Sequence, residues 1–322
     1  QALNRVAVRQ THATMSPYHQ AVSVPKGTFK TVLDAFEGYH SVPLRSADTH
    51  YTAFVTPWGR YKYLSTPQGF LAAGDGYTAR YDEIVKDFKN YTKCIDDTCL
   101  WADSIADIFF HTCQYLTLCS RAGIIFNKKK FQFGSKTVDF LGFTITEDSV
   151  KPSAEYIEAI KDFPRPKDIT GIRSWFGLVN QVAFAFAQTR IMLPFRDLLK
   201  PSSKFAWTSE LEEAFVTGKE KIVEAVIEGV KSYEIGRTTA LCSDWSKFGL
   251  GFVLLQKHCD CPGPAPSLTP SPVCCNQWKL VFAGSRFTSP AESRYHPGQG
   301  EALSVAWALH KARHYCLGNP DL

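Results

Sequence analysis

The stretch Tyr91-Thr-Lys-Cys-Ile-Asp-Asp-Thr-Cys-Leu-Trp101 sets two adjacent carboxylates, Asp96 and Asp97, between apolar flanks. Apolar runs on either side of a short acidic break predict two strands joined by a tight turn, with the acids at its tip. Like charges at neighbouring positions repel, and a divalent cation is the usual remedy. An Asp-Asp pair is more often a solvated turn or a helix cap, so this pair carries weight only through its surroundings.

Those surroundings lie on both sides. Residues 29–36 are apolar and β-branched, which predicts a buried strand broken by Glu37-Gly38, yet Asp34 sits inside it. A lone buried carboxylate is costly unless something pairs with it. Three carboxylates on adjacent strand ends, Asp34, Asp96 and Asp97, could hold two Mg²⁺ ions about 3.5–4 Å apart, an arrangement that stabilises the attacking and leaving oxygens of phosphoryl transfer. Between the two acidic stretches, residues 52–56 and 61–65 read as strands joined by the turn Pro57-Trp58-Gly59-Arg60, and residues 75–89 read as a helix. A long helix is expected over residues 104–122, closed by Gly123, and short strands over 132–146. The first 30 residues are polar and contain Pro17 and Pro25, so they read mostly as loop.

The order of these features resembles the reverse transcriptases of long-terminal-repeat retrotransposons, especially the Ty3/gypsy-like group of animals. Val32-Leu-Asp-Ala-Phe-Glu-Gly-Tyr-His-Ser-Val-Pro-Leu44 is similar to the family's first catalytic motif. Thr66-Pro-Gln-Gly-Phe70 is similar to its nucleotide-binding motif, Cys94-Ile-Asp-Asp97 to its Tyr-x-Asp-Asp motif, and Phe140-Leu-Gly-Phe143 to its primer-grip region. The resemblance implies that Asp34, Asp96 and Asp97 bind the catalytic metal, Mg²⁺ or Mn²⁺. It makes Tyr39 the steric gate against a ribose 2′-hydroxyl, and puts Gln68 and Gly69 at the incoming nucleotide. Core packing is the alternative reading of Tyr39, and the weaker one once the motif is accepted. Cys94 departs from the family's aromatic, and the family's fingers begin upstream of Leu3-Asn4, where its triphosphate-gripping basic residues lie. Gln1 and Leu322 both read as cut ends.

Pro152, Pro164 and Pro166 mark a change of texture. Residues 153–200 read as helical with a stop at Pro201, and residues 207–232 as another helix. Trp175 and Phe176 belong to an apolar helical stripe and read as core. From Thr238 the pattern is strand, glycine turn, strand, with Asp244 at the end of the first run; a final helix is expected over 300–314, with Glu301 in its first turn. A Glu there is often only a favourable partner of the helix dipole, and Asp244 alone is a plain turn acid. Together they resemble the first two acids of a retroelement ribonuclease H, which implies a second Mg²⁺ site. The family's next Asp follows the segment like His314-Tyr-Cys-Leu-Gly-Asn-Pro-Asp321, and Asp321 sits too early to be it. No ribonuclease H activity is expected of this chain alone.

Composition narrows the class without choosing it. The 322 residues are 44% hydrophobic and 21% charged, ordinary for globular domains, and the net charge of +5 is compatible with nucleic acid. Asn127-Lys-Lys-Lys-Phe-Gln-Phe133 interleaves basic and aromatic residues, as phosphate and base contacts need, although solvated lysines look the same. No signal peptide opens the chain and no run of about 18 apolar residues could span a bilayer. The thiols read as reduced and the setting as intracellular; the resemblance implies the cytoplasm, in a virus-like particle, and the nucleus. His258-Cys-Asp-Cys261, followed by Cys274-Cys275, does not have the spacing of a standard zinc finger, so it reads as a surface loop of free thiols.

The fold expected is α+β: a reverse transcriptase palm with partial fingers over 1–150, a helical thumb or connection over 151–204, and an incomplete ribonuclease H-like α/β domain over 205–322. The expected partners are an RNA or DNA template-primer, deoxynucleoside triphosphates and other polyprotein domains, with no membrane. The alternative from another class is a catalytically inactive nucleic-acid-binding fragment or relic of such an element.

Overall fold

The computed structural model describes residues 2–9, 11–200, 205–261, 275, 277–319 and 322. The chain forms two compact units, residues 1–147 and 148–322. Residues 151–204 and 205–322, expected as separate segments, both lie in the second unit.

In the first unit, β1 (Phe29–Asp34), β4 (Tyr91–Cys94), β5 (Asp97–Ala102) and β6 (Gln132–Ser135) form an antiparallel sheet in the order β4-β5-β1-β6. Strand side chains alternate between faces. Thr31, Leu33, Thr98 and Leu100 therefore share one face, which packs on α3 (Ala73–Val85) and α4 (Ile105–Arg121) around Tyr77, Tyr81, Ile108 and Tyr115. The buried hydroxyls on that face satisfy one another: Tyr81 and Tyr115 lie 3.1 Å apart, each 3.2 Å from Thr98. Asp34 and Asp97 fall on the opposite parity. Buried Lys30, also of that parity, donates to the carbonyls of Thr28 and Lys136, both at 2.9 Å.

The opening segment is less of a loop than its composition predicts. It contains the short helices α1 (Ala2–Val6) and α2 (Pro17–Val22), and side chains fasten it to α3. Arg9 bonds Asp75 at 2.7 Å, and Asp82 pairs with both His12 at 2.6 Å and Lys93 at 2.9 Å. Long-range ion pairs of this kind have no local signature. The expected hairpin is shorter than its pattern: β2 (Phe54–Thr56) pairs with β3 (Gly59–Tyr61) across Pro57-Trp58. β7 (Val138–Phe140) and β8 (Phe143–Ile145) turn through Leu141 and Gly142, both at positive φ.

In the second unit, β9 (Ser149–Pro152) pairs with β10 (Val230–Lys231). The helical stretch is broken into α5 (Ala154–Lys161), α6 (Ile169–Val182), α7 (Thr189–Met192) and short 3₁₀ turns, because Pro164, Pro166 and Pro194 cannot donate to a helix ladder. Trp175 is buried there against Phe163 and Phe215, whereas Phe176 is half-buried. Pro201 lies outside the described residues. After α8 (Ser209–Val226) come β11 (Thr239–Trp245), β12 (Gly249–Lys257) and β13 (Trp278–Phe287), then α9 (Pro297–Cys316). These three strands are antiparallel throughout. Parallel pairing needs a crossover connection, and the described strands are neighbours in sequence.

Candidate functional site

β1 and β5 run in a register that makes Asp34 the direct partner of Asp97. The hairpin closes at Cys94↔Asp97, so the two-residue turn is Ile95-Asp96, with only Ile95 at positive φ, 57°. That matches a turn whose first central position usually takes glycine. A β-branched residue is strained there, and Ala35 N–H donates to the Asp96 carbonyl at 2.9 Å, tying the turn to the end of β1. The register thus sets Asp34 opposite Asp97, with Asp96 next to them in the turn.

Their electrostatics ask for positive charge. Burial, then repulsion from Asp96 and Asp34, pushes the Asp97 carboxyl up to about 7. Burial also raises Asp96, and Asp34 adds to it. Asp34 is 8% exposed, and the Lys130 ammonium sits 2.7 Å from its Oδ2. Lys130 arrives because Phe36 N–H and Asn127 N–H bond the carbonyls of Ile125 and Asp34, which lays the basic run beside β1. The sequence marks that run as basic; only the fold shows which lysine reaches the acids.

Tyr39 lies on the 3₁₀ turn Gly38–Ser41, its ring edge-on to Tyr77 at 5.7 Å. A β-carbon on Gly38 would stand 2.5 Å from the Tyr77 ring, so glycine is needed for this contact. Thr66 binds the carbonyl of Val42 through its N–H at 2.9 Å, and Pro43 forms an isolated bridge with Ser65, which ties the Tyr39 segment to the chain just before Gln68-Gly69. Gln68 is exposed, and Gly69 holds φ +83°, a conformation that favours glycine. The Asn4 side chain clamps this loop, donating to the Gly69 carbonyl at 2.8 Å and accepting from Leu71 N–H at 3.0 Å. No local pattern marks Asn4 for that role.

In the second unit Asp244, near the end of β11, is exposed, and Ser304 of α9 donates to its carbonyl at 2.9 Å. A β-carbon on Gly300 would stand 2.1 Å from Trp245, so helix and strand meet at the residue before Glu301, which is itself exposed. α9 begins at Pro297 under a His296–Gln299 capping box, earlier than expected. Glu301 is therefore beyond the first turn, which weakens the helix-dipole explanation for it. Asp321 lies outside the described residues.

Residues 3–145 match the family model for reverse transcriptase (RNA-dependent DNA polymerase), and residues 235–321 that for the RNase H-like domain found in reverse transcriptase. The chain carries a reverse transcriptase domain followed by an RNase H-like domain. It is 26% identical over 291 residues to the transposon Tf2-3 and Tf2-7 polyproteins of Schizosaccharomyces pombe, covering 89% of this chain. It spans 21% of the length of those relatives. Its fold is similar to that of a foamy viral protease-reverse transcriptase in complex with double-stranded DNA, with a TM-score of 0.82 at 18% identity, covering 98% of this chain and 53% of that one. A foamy viral protease-reverse transcriptase in complex with an RNA/DNA hybrid is also similar, with a TM-score of 0.77 at 18% identity, covering 96% of this chain and 40% of that one. These likenesses are of fold. In the reverse transcriptase domain the chemistry of the donor set suits a hard divalent cation: the donors are carboxylates, two of them hold their protons more readily than usual, and a lysine already offsets their charge. Among the described residues no helix is long and apolar enough to cross a membrane.

Proposed function

We propose that the chain is the polymerase core of a Ty3/gypsy-like long-terminal-repeat retrotransposon, extending a primer with deoxynucleotides on an RNA or DNA template. The animal branch of that group is the finer reading, carried by the motifs alone. The cross-strand pairing of Asp34 with Asp97 beside Asp96 is the observation that supports polymerase chemistry most directly. Asp34, Asp96 and Asp97 would hold Mg²⁺ or Mn²⁺, which supplies charge neutralisation at the reacting phosphate. The residues themselves set the geometry: the Ile95 turn fixes the two acids, and Tyr39, braced edge-on by Tyr77, would be the steric gate against a 2′-hydroxyl. Gln68 and Gly69 present polar edge and bare backbone to the nucleotide. Lys128 and Lys129, exposed beside Phe131, suit phosphate contacts of a template-primer.

In the RNase H-like domain Asp244 and Glu301 would form part of a second Mg²⁺ site acting on RNA in hybrids within the longer polyprotein. Residues 1–150, 151–204 and 205–322 then serve as palm with partial fingers, connection and RNase H-like domain. The setting that goes with this reading is a cytoplasmic particle with access to the nucleus.

Primer extension on a primed RNA template tests the proposal. Incorporation that disappears with Asp96→Asn supports it, and incorporation untouched by that change overturns it. Salt-sensitive hybrid binding without incorporation favours the inactive binding fragment instead.

A further inference from the structure

The sulfur atoms of Cys259, Cys261 and Cys275 lie within 4.8 Å of one another, although 14 positions separate Cys261 from Cys275. Strand register brings them there. The last paired rung of β12 and β13 is Lys257↔Trp278, and His258 N–H extends the ladder by donating to the Gln277 carbonyl at 2.8 Å. The chain ends carrying the thiols therefore leave the sheet side by side. Sequence spacing argues for a loop of free thiols because it counts residues along the chain, while the ladder sets the distance across it. Cys274 lies outside the described residues.

The Cys261 and Cys275 sulfurs stand 3.5 Å apart, too far for a covalent S–S bond, which is about 2.05 Å. The separation is close to that of two thiolates on one tetrahedral zinc, about 3.8 Å when each Zn–S bond is about 2.3 Å. The Lys257 ammonium bonds the Cys261 carbonyl, and Arg237 donates to the Lys257 carbonyl at 2.9 Å. Two cations thus flank a turn that would carry net negative charge with three thiolates on a divalent ion.

We infer that Cys259, Cys261 and Cys275 form a zinc-binding clip at the open end of the β12–β13 pair, separate from the Asp244 and Glu301 carboxylates. Zinc takes three thiolates, and water fills the fourth position. Each thiol gives up its proton to solvent on binding, so affinity rises with pH. The clip closes the long connection between the two strands and so restricts the unfolded chain more than the folded one. Its role is to hold the strand ends together.

Titrating the reduced chain with Co²⁺ tests this, because thiolate ligands produce a near-ultraviolet charge-transfer band that carboxylates do not. The expected result is one equivalent of Co²⁺ with that band, displaced by Zn²⁺. Cys259→Ser, Cys261→Ser and Cys275→Ser should each weaken binding by about tenfold or more, while Cys113→Ser, on exposed α4, leaves it unchanged. No band in the fully reduced chain overturns the inference. So does a band that survives all three changes, or one lost equally with Cys113→Ser.

Discussion

Replacing Asp97 by Asn should stabilise the metal-free fold while destroying incorporation. Asp97 titrates near 7 in the folded chain against its usual 3.8, for the burial and neighbouring charges already described. The sign follows from linkage: a carboxyl whose folded value is raised favours the native state most below pH 3.8, and that contribution is lost as pH rises through about 7. At face value the penalty above pH 7 is about 4 kcal/mol. The carboxylate is partly open to solvent, which screens it, so about 1–2 kcal/mol is the working figure. Asparagine copies the shape and donor of the protonated acid without the charge. At about pH 8 in EDTA, the β5 amides of Asp97→Asn should exchange roughly 5- to 30-fold more slowly than those of the unaltered chain. At about pH 5 the folded Asp97 is protonated while the unfolded one is still ionised, so the gap should narrow, closing only below pH 3.8. Hydrogen-exchange mass spectrometry reads both values. A variant no slower at pH 8, or a gap that persists unchanged at pH 5, refutes the claim that charge crowding strains this hairpin.

Further outcomes follow from the same geometry. Lys130→Ala removes a charge that lowers both Asp96 and Asp97, so the acidic limb of the pH–rate profile should move to higher pH; movement the other way rejects the role of Lys130. Tyr39→Ala should raise ribonucleotide use relative to deoxynucleotide use about tenfold or more, since the blocking ring is gone, while Tyr39→Phe should leave the ratio alone; single-nucleotide incorporation measures both. Gly300→Ala drives a β-carbon into Trp245 and should cost about 1–3 kcal/mol, seen as a lower melting temperature with altered tryptophan emission. A melting curve that does not move would mean α9 is not seated on β11 as described.

Much of the candidate site was legible because its chemistry is local. Asp96 and Asp97 are adjacent, apolar residues flank them, and a two-residue turn follows from that pattern alone. The strand around Asp34 and the helices α3 and α4 are written in their own periodicity. Other features have no local trace. Apolar periodicity begins late and so puts Glu301 in a first turn, whereas the cap that starts α9 is polar and lies at His296. The ordering of the first 30 residues depends on Asp75 and Asp82, far along the chain.

The sequence by itself determined which groups could do chemistry and in what order they occur, because residue type and spacing decide strand, turn and helix. Tertiary structure alone decided which of those groups meet. Pairing register set Asp34 opposite Asp97 and gathered three cysteines at one strand end, while side-chain hydrogen bonds laid Lys130 on the Asp34 charge and closed the Asn4 clamp over Gly69. Each of these is a contact between residues distant in sequence, fixed by hydrogen-bonded ladders and side-chain packing that a one-dimensional pattern does not contain.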